Sequence, residues 1–305
     1  MLVYIVRRLV LVLLVVWGAV TLTFVLLQFS GDPTNLLLPL DANPETRANY
    51  RRAYGLDQPV YVQYGRYLAR AVRGDFGVSL RSRDDAMKLV LERLPNSLLL
   101  AGSGLLFAIA IGVPAGVLAA LRRGSPTELG VMTLALLGQS IPSFWLALML
   151  ILVFGLNLRW LPISGLGTWR HLVLPTITVG TFVAASIARL TRSGVLQELR
   201  SDYVRTARAK GVAVQVVNYK HALRNAAIPV VTIIGLQLGV LLSSAIITET
   251  IFAWPGLGRF VYIAVTQRDF PVVQATVAVF ALMLATINLA VDIAYALLNP
   301  RVRYS

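Results

Sequence analysis

The sequence predicts an all-α membrane protein: six transmembrane helices, a small outward-facing excursion between spans 1 and 2, and a cytoplasmic two-helix insert between spans 4 and 5. Three observations carry that expectation. Hydrophobic residues make up 57% of the chain and charged residues 14%, whereas soluble domains carry about 25% charged residues. The apolar residues gather into charge-free runs of the length that crosses a bilayer, about 20 residues. The basic residues between those runs fall mainly on one side.

The first span is Leu9–Phe29, preceded by Arg7 and Arg8. Its apolar core is too long for a cleaved signal peptide, and "LLQFSGDPT" offers no small-residue cleavage site. The second is Ser97–Leu121, the third lies inside Leu129–Leu158, and the fourth is Leu172–Ala188, richer in Ser and Thr. Ala226–Thr248 is the fifth, and Phe270–Leu298, interrupted by Asp292, is the sixth. With the N-terminus inside, the inner segments hold 14 Lys and Arg and the short outer loops hold 4, as the positive-inside rule requires. Trp160, Trp169 and Trp254 then fall near outer ends, and Tyr203 and Tyr304 near inner ones.

The chain divides into residues 1–29 (tail and first span), 30–96 (excursion) and 97–305 (core with five spans), the core including an insert at 189–226. The excursion carries ten basic and eight acidic residues. Helical patterning in "PVYVQYGRYLARAV", with turn signals at Gly31-Asp32-Pro33 and Gly74-Asp75, predicts a folded element there.

Inside the spans, small residues recur every fourth position: Ala108, Gly112, Gly116 and Ala120; Gly180, Ala184 and Ala188; Gly235, Gly239 and Ser243. That spacing places each set on one helix face, where backbones can approach closely. Such faces serve packing or line a path. "GQSIPSFW" combines Pro142 with Gln139, Ser140 and Ser143 at membrane depth, which makes a kink that is either a static bend or a moving one.

Several chemistries are excluded. The chain has no cysteine, so disulfides and thiolate sites are ruled out. It has no Gly-Lys pair, hence no P-loop. His171 and His221, the two histidines, are predicted on opposite sides of the membrane and cannot share a metal. The positive charge lies in short stretches between apolar runs, which suits an anionic leaflet better than nucleic acid. If the protein pumps, the nucleotide chemistry belongs to a partner. The insert supplies a handle for one: "YVRTARAK" is helix-prone, Gly211 can end it, and "VQVVNYKHALRNA" can form a second helix. Ala207 and Ala209 would permit close contact, and Arg205, Arg208 and Lys210 would pair with partner acids or rest on lipid.

"DYVRTARAKG…HALRNAAIPVV", together with "YGLDQPVYVQYGRYLARAVRGDFGVSL", "ETIFAWPGLGR", "DFPVVQA" and "VDIAYALLNPRVRY", resembles the permease subunit of dipeptide, oligopeptide and nickel ABC importers of the bacterial inner membrane. The resemblance implies a homologous second permease, two ATPase subunits or one fused ATPase, an extracytoplasmic solute-binding protein and a peptide substrate. ATP and Mg would be bound by the ATPase partners, and no cofactor by this chain. It implies that Tyr203, Arg205, Ala207, Arg208, Ala209, Lys210, Gly211, His221, Arg224 and Asn225 form the ATPase-coupling surface. Gly31, Asp32, Gln63, Tyr64, Gly74 and Asp75 become candidates for binding-protein contact. Gln139, Ser140, Pro142, Glu249 and Asp292 become candidates for the pathway or its gate. An ion-coupled secondary transporter is the alternative; it would need buried charges near mid-membrane, and Asp292 is the one clear acid there.

Overall fold

A computed structural model describes residues 2–29, 43–54, 57–217 and 223–298. Gly31, Asp32 and His221 lie outside the described residues. The described helices are α1 (Leu2–Phe29), α2 (Pro44–Tyr54), α3 (Val60–Ala71), α4 (Ala86–Leu121), α5 (Pro126–Ser140), α6 (Ser143–Leu150, continuing as a π-helix over Ile151–Asn157), α7 (Trp169–Leu199), α8 (Asp202–Ala209), α9 (Leu223–Ile251), α10 (Leu257–Thr266) and α11 (Phe270–Leu298).

Four of these, in α1, α4, α7 and α11, are long and apolar enough to cross a membrane, and α5 with α6 makes a fifth if the bent pair is one span. The fold is therefore an all-helical membrane protein with four to five candidate spans among the described residues. The expected fifth span falls within α9, a continuous helix of 29 residues whose described stretch Gln237–Ile251 is apolar.

The chain forms two compact units. The first comprises Asn96–Gly258 and Ile287–Ser305 together with Met1. Its core is built on α7, where Leu174, Val179, Val183, Ile187 and Val195 are buried. The small-residue stripes meet there. A Cβ at Gly112 would lie 2.6 Å from the Ala184 carbonyl oxygen, and one at Gly180 would lie 2.8 Å from the Gly104 carbonyl oxygen. A Cβ at Gly116 would run into the Ala188 carbonyl oxygen. Close backbone approach holds α4 against α7, the arrangement that suits helices lacking a hydrophobic drive to associate in lipid. On α9, Gly235 faces Val291 of α11 in the same way.

The second unit comprises Leu2–Pro95 and Arg259–Thr286. Here α3 lies along the end of α1. The Thr21 and Tyr64 hydroxyls hydrogen-bond at 2.7 Å, Gln28 donates to Gln63 at 3.2 Å, and Phe24 packs on Tyr64 and Tyr67 with ring centroids 5.3 and 5.4 Å apart. The expected helix in "PVYVQYGRYLARAV" is α3, and the turn after it contains Gly74 at φ +74°. Burial pushes the Tyr67 hydroxyl well above its ordinary range. Asp269, 5% exposed, accepts from Ser79 Oγ at 2.5 Å and from the Leu80 amide at 3.1 Å. Substituting Asp269→Ala is expected to leave both donors unsatisfied and to loosen the segment around Ser79. Hydrogen bonds to a charged group contribute about 1.5–3 kcal/mol, so hydrogen exchange of the Leu80 and Ser82 amides should accelerate at least tenfold. Unchanged exchange would remove that role.

The helix that holds the expected fourth span is longer than that span: α7 runs on to Leu199, so residues 189–199 of the expected insert are helical and continuous with it. Arg192 sits comfortably on that helix because its guanidinium is taken up by Glu128, with Nε 2.6 Å from Oε1. Of the helical segment predicted after Gly211, Val214–Val216 is helical and Leu223–Ala226 belongs to α9, while residues 218–222 lie outside the described residues.

Candidate functional site: a broken span and a capped basic knob

Pro142 has no N–H and so cannot donate to the Gly138 carbonyl, and it forces the residue before it out of the helical region. Ile141 accordingly adopts φ −73° and ψ 122°. The helix stops there, and α5 and α6, the latter with its π-helical continuation, meet at 101°. The bend opens a cleft of about 320 Å³ lined by Gln139, Ser140, Ser143, Thr178, Thr181 and Ser244, among others.

Among the described residues, no charged side chain lines this cleft. Its hydroxyls are mostly committed to their own helices: Ser140 donates to the Leu136 carbonyl, Thr178 to Leu174, Thr181 to Ile177 and Ser244 to Leu241, at 2.6–3.0 Å. A hydroxyl that has donated its proton retains lone pairs. The cleft thus presents mainly oxygen acceptors, joined by the Gly138 carbonyl that Pro142 leaves without its helical donor. Such a lining favours solutes rich in N–H groups. Gln139 Nε2 donates to Ser186 Oγ at 3.3 Å, tying the break to α7.

The other gate candidates lie elsewhere. Glu249 is fully buried and accepts from Ser97 Oγ at 2.6 Å, while Ser97 Oγ accepts from the Leu257 amide at 2.7 Å. Asp292 is half-buried on α11. Sequence reasoning passed over Gln237, a lone amide in an apolar stretch of α9, whose Oε1 is buried with no hydrogen-bond partner among the described residues.

The basic knob is α8. Val204 is its buried side, packed with Val217 and flanked by Leu199, Ala207 and Val212. Tyr203, Arg205, Arg208, Ala209 and Lys210 are exposed. Its C-terminus is closed by a paired turn: Val212 N donates to the Ala207 carbonyl at 3.2 Å and Gly211 N to Arg208 at 3.0 Å, with Gly211 at φ +75°. This is the Schellman arrangement, in which a residue without a Cβ takes the left-handed position at no steric cost. Asp202 in the first turn and Arg208 in the last match the helix dipole. The Tyr203 hydroxyl donates to Glu198 at 2.7 Å; partial burial first, and that bond second, raise its pKa. Of the remaining coupling candidates, Asn225 is exposed near the start of α9, and Arg224 lies in the same first turn.

In the expected excursion, Gln63 and Tyr64 face α1, and Asp75 closes the turn after α3. Asp75 accepts from Arg70 Nε at 2.9 Å and from the Gly77 amide at 2.9 Å. The Arg70 guanidinium, aided by that amide, holds the Asp75 carboxyl below the usual carboxylate range. The opposite face of α3 is open: Tyr61, Gly65, Arg66 and Ala69 are exposed. The i, i+4, i+8 spacing of Tyr61, Gly65 and Ala69 could have revealed that face in the sequence.

The family model for the "binding-protein-dependent transport system inner membrane component" matches residues 112–304, and the model for its N-terminal region matches residues 1–101. The chain is 42% identical over its full length to the "Di/tripeptide transport system permease protein DppB" of Pseudomonas aeruginosa, covering 99% of that protein. It is also 42% identical, with both chains fully covered, to the "Glutathione transport system permease protein GsiC" of Escherichia coli K12. Among solved structures, the inward-facing MetNI methionine ABC transporter matches with a TM-score of 0.58 at 20% identity, over 70% of this chain and 97% of that one. The chain belongs to the family of binding-protein-dependent transport system inner membrane components, the multi-pass permeases of ABC importers.

Proposed function

We propose that this chain forms half of the translocation pathway of an ATP-driven importer of small peptides, dipeptides or glutathione-like tripeptides among them, with a homologous permease forming the other half. Membership of the family implies ATPase and binding-protein partners. The full-length similarity to permeases named for di/tripeptide and glutathione transport supports the peptide class. The acceptor-lined cleft at Pro142 agrees with it, because peptides carry an ammonium group and backbone N–H donors.

In this reading α9 completes six spans, with both termini cytoplasmic. Two ATPase subunits, or one fused ATPase, dock on the exposed face of α8. The segment 30–96 meets the binding protein, and the open face of α3 joins Gly74 and Asp75 as its contact surface. Gln139, Ser140 and Pro142 line the path, and Gln237 joins them.

The observation that carries the coupling role is the fixed geometry of α8: a buried Val204 side, an exposed basic side and a Schellman turn at Gly211. Ala209→Asp places a carboxylate on the exposed face without touching the buried one. It should reduce co-purification of the ATPase subunits at least tenfold while membrane insertion stays normal. Gly211→Val puts a β-branched residue in the left-handed region and should act in the same direction through the turn. Unchanged ATPase recovery in both variants would refute the assignment.

A further inference from the structure

We propose that the inner ends of α5 and α7 hold a site for a phosphate-type anion, occupied by the headgroup of an anionic phospholipid. A cavity of about 410 Å³ lies there, lined by Arg123, Arg192, Ser193, Leu196, Gln197 and Arg200. Its acid–base balance is uneven. Glu128 takes up Arg192 through Nε at 2.6 Å and also accepts from the Gly124 amide at 2.6 Å. Glu128 also feels the charge of Arg123, so one carboxylate stands against three guanidinia, and among the described residues no acidic side chain lines the cavity itself.

The donors are arranged for one ligand. Ser193 and Gln197, at i and i+4, share a face of α7, and Arg200 is the residue that caps its C-terminus. Arg123 reaches the cavity from the loop that precedes α5. Guanidinium forks match the spacing of phosphate oxygens and bind them bidentately. The hydroxyl of Ser193 and the amide of Gln197 add neutral donors. The C-terminal half-charge of α7 opposes an anion there, and two guanidinia outweigh it.

The surroundings favour a lipid over a soluble phosphate. Leu196 gives the cavity an apolar wall. From its edge, α5 leads away with Leu129 and Leu136 exposed at 70% and 57%, seven residues apart and hence on one face. That is a track for an acyl chain, for which a free phosphate has no use. The distribution of Lys and Arg places this end at the cytoplasmic leaflet, where anionic lipids concentrate and basic pockets between helices capture their headgroups.

The test uses the intact importer complex, stripped of endogenous lipid and titrated with phosphatidylglycerol, phosphatidylcholine or inorganic phosphate, with bound lipid read by native mass spectrometry. Phosphatidylglycerol should be retained at least tenfold better than phosphatidylcholine. The double variant Arg123→Gln/Arg200→Gln should weaken that retention about thirtyfold, the combined effect expected of two surface guanidinia, whereas Arg123→Lys/Arg200→Lys should keep most of it. Both positions are exposed, so neither variant threatens folding. Equal retention by the glutamine variant overturns the site. Displacement of phosphatidylglycerol by millimolar inorganic phosphate, with no preference for lipid, overturns the lipid as occupant. Loss of ATPase subunits from the glutamine variant with lipid retention unchanged assigns the arginines to a subunit contact and overturns the proposal. None of these outcomes depends on the role of α8.

Discussion

Valine at Gly112 or Gly116 is expected to prevent the first unit from assembling. At Gly112 the new Cβ would meet the Ala184 carbonyl oxygen at 2.6 Å and Ile187 at 3.0 Å; at Gly116 it would meet the Ala188 carbonyl oxygen and the Thr191 Cβ, the latter at 2.7 Å. The principal obstacle is backbone, which cannot turn aside as a flexible side chain can. Relief requires α4 and α7 to part, and parting opens every small-residue contact between them. Overpacking a core commonly costs about 1–3 kcal/mol. Obstruction by a carbonyl belongs at the upper end of that range, and two extra γ-methyls add to it. Thermal unfolding in detergent should fall by many degrees, and the yield of complex should collapse. Gly130→Val is the matched control, because a Cβ there meets nothing within 4 Å; surface changes of that kind stay within about 0.5 kcal/mol. A Gly112→Val protein as stable as the Gly130→Val one would show that the two helices are not held by this contact.

Ser97→Ala should destabilise the same unit by about 2 kcal/mol or more. Ser97 Oγ does two things at once: it donates to the buried Glu249 carboxyl and accepts the Leu257 amide. Removing it takes one donor from Glu249 and leaves a buried N–H without its acceptor. The lost hydrogen bond contributes about 0.5–1.5 kcal/mol and the orphaned N–H costs about 1–3 kcal/mol. The neighbourhood depends on the same contact. Trp254, fully buried, donates through Nε1 to the Asn96 carbonyl at 3.0 Å, and Asn96 returns a hydrogen bond to the Pro255 carbonyl at 2.9 Å. Gly256 lies so close to the Glu249 carboxylate that a Cβ there would overlap it. Gly256→Ala should therefore reproduce the loss by displacing the carboxylate from Ser97. Chemical unfolding of the purified protein, followed by the fluorescence of its tryptophans, measures both. A Ser97→Ala midpoint indistinguishable from the parent would mean that the Ser97–Glu249 bond contributes nothing.

Composition and spacing by themselves determined that this chain is an all-helical membrane protein, because charge-free runs of bilayer length leave the backbone no other way to satisfy its hydrogen bonds. They also determined where α3 forms, that a helix stops at Gly211, that the chain bends at Pro142, and which small residues lie on common helix faces. Each of these is a local property: a missing N–H, a missing Cβ, a repeat of four. What only the tertiary structure decided are pairings between distant residues. Glu128 meets Arg192 across 64 residues, and that pairing lets α7 continue past the point where charge suggested an end. Ser97 meets Glu249 across 152 residues, and Ser79 meets Asp269 across 190. Trp254, expected at an outer interface like Trp160 and Trp169, is completely buried, while those two are 64% and 72% exposed. An isolated tryptophan or carboxylate carries no mark of the group it will face. That choice is made when helices pack, because only then does desolvation compel each buried polar atom to find a partner.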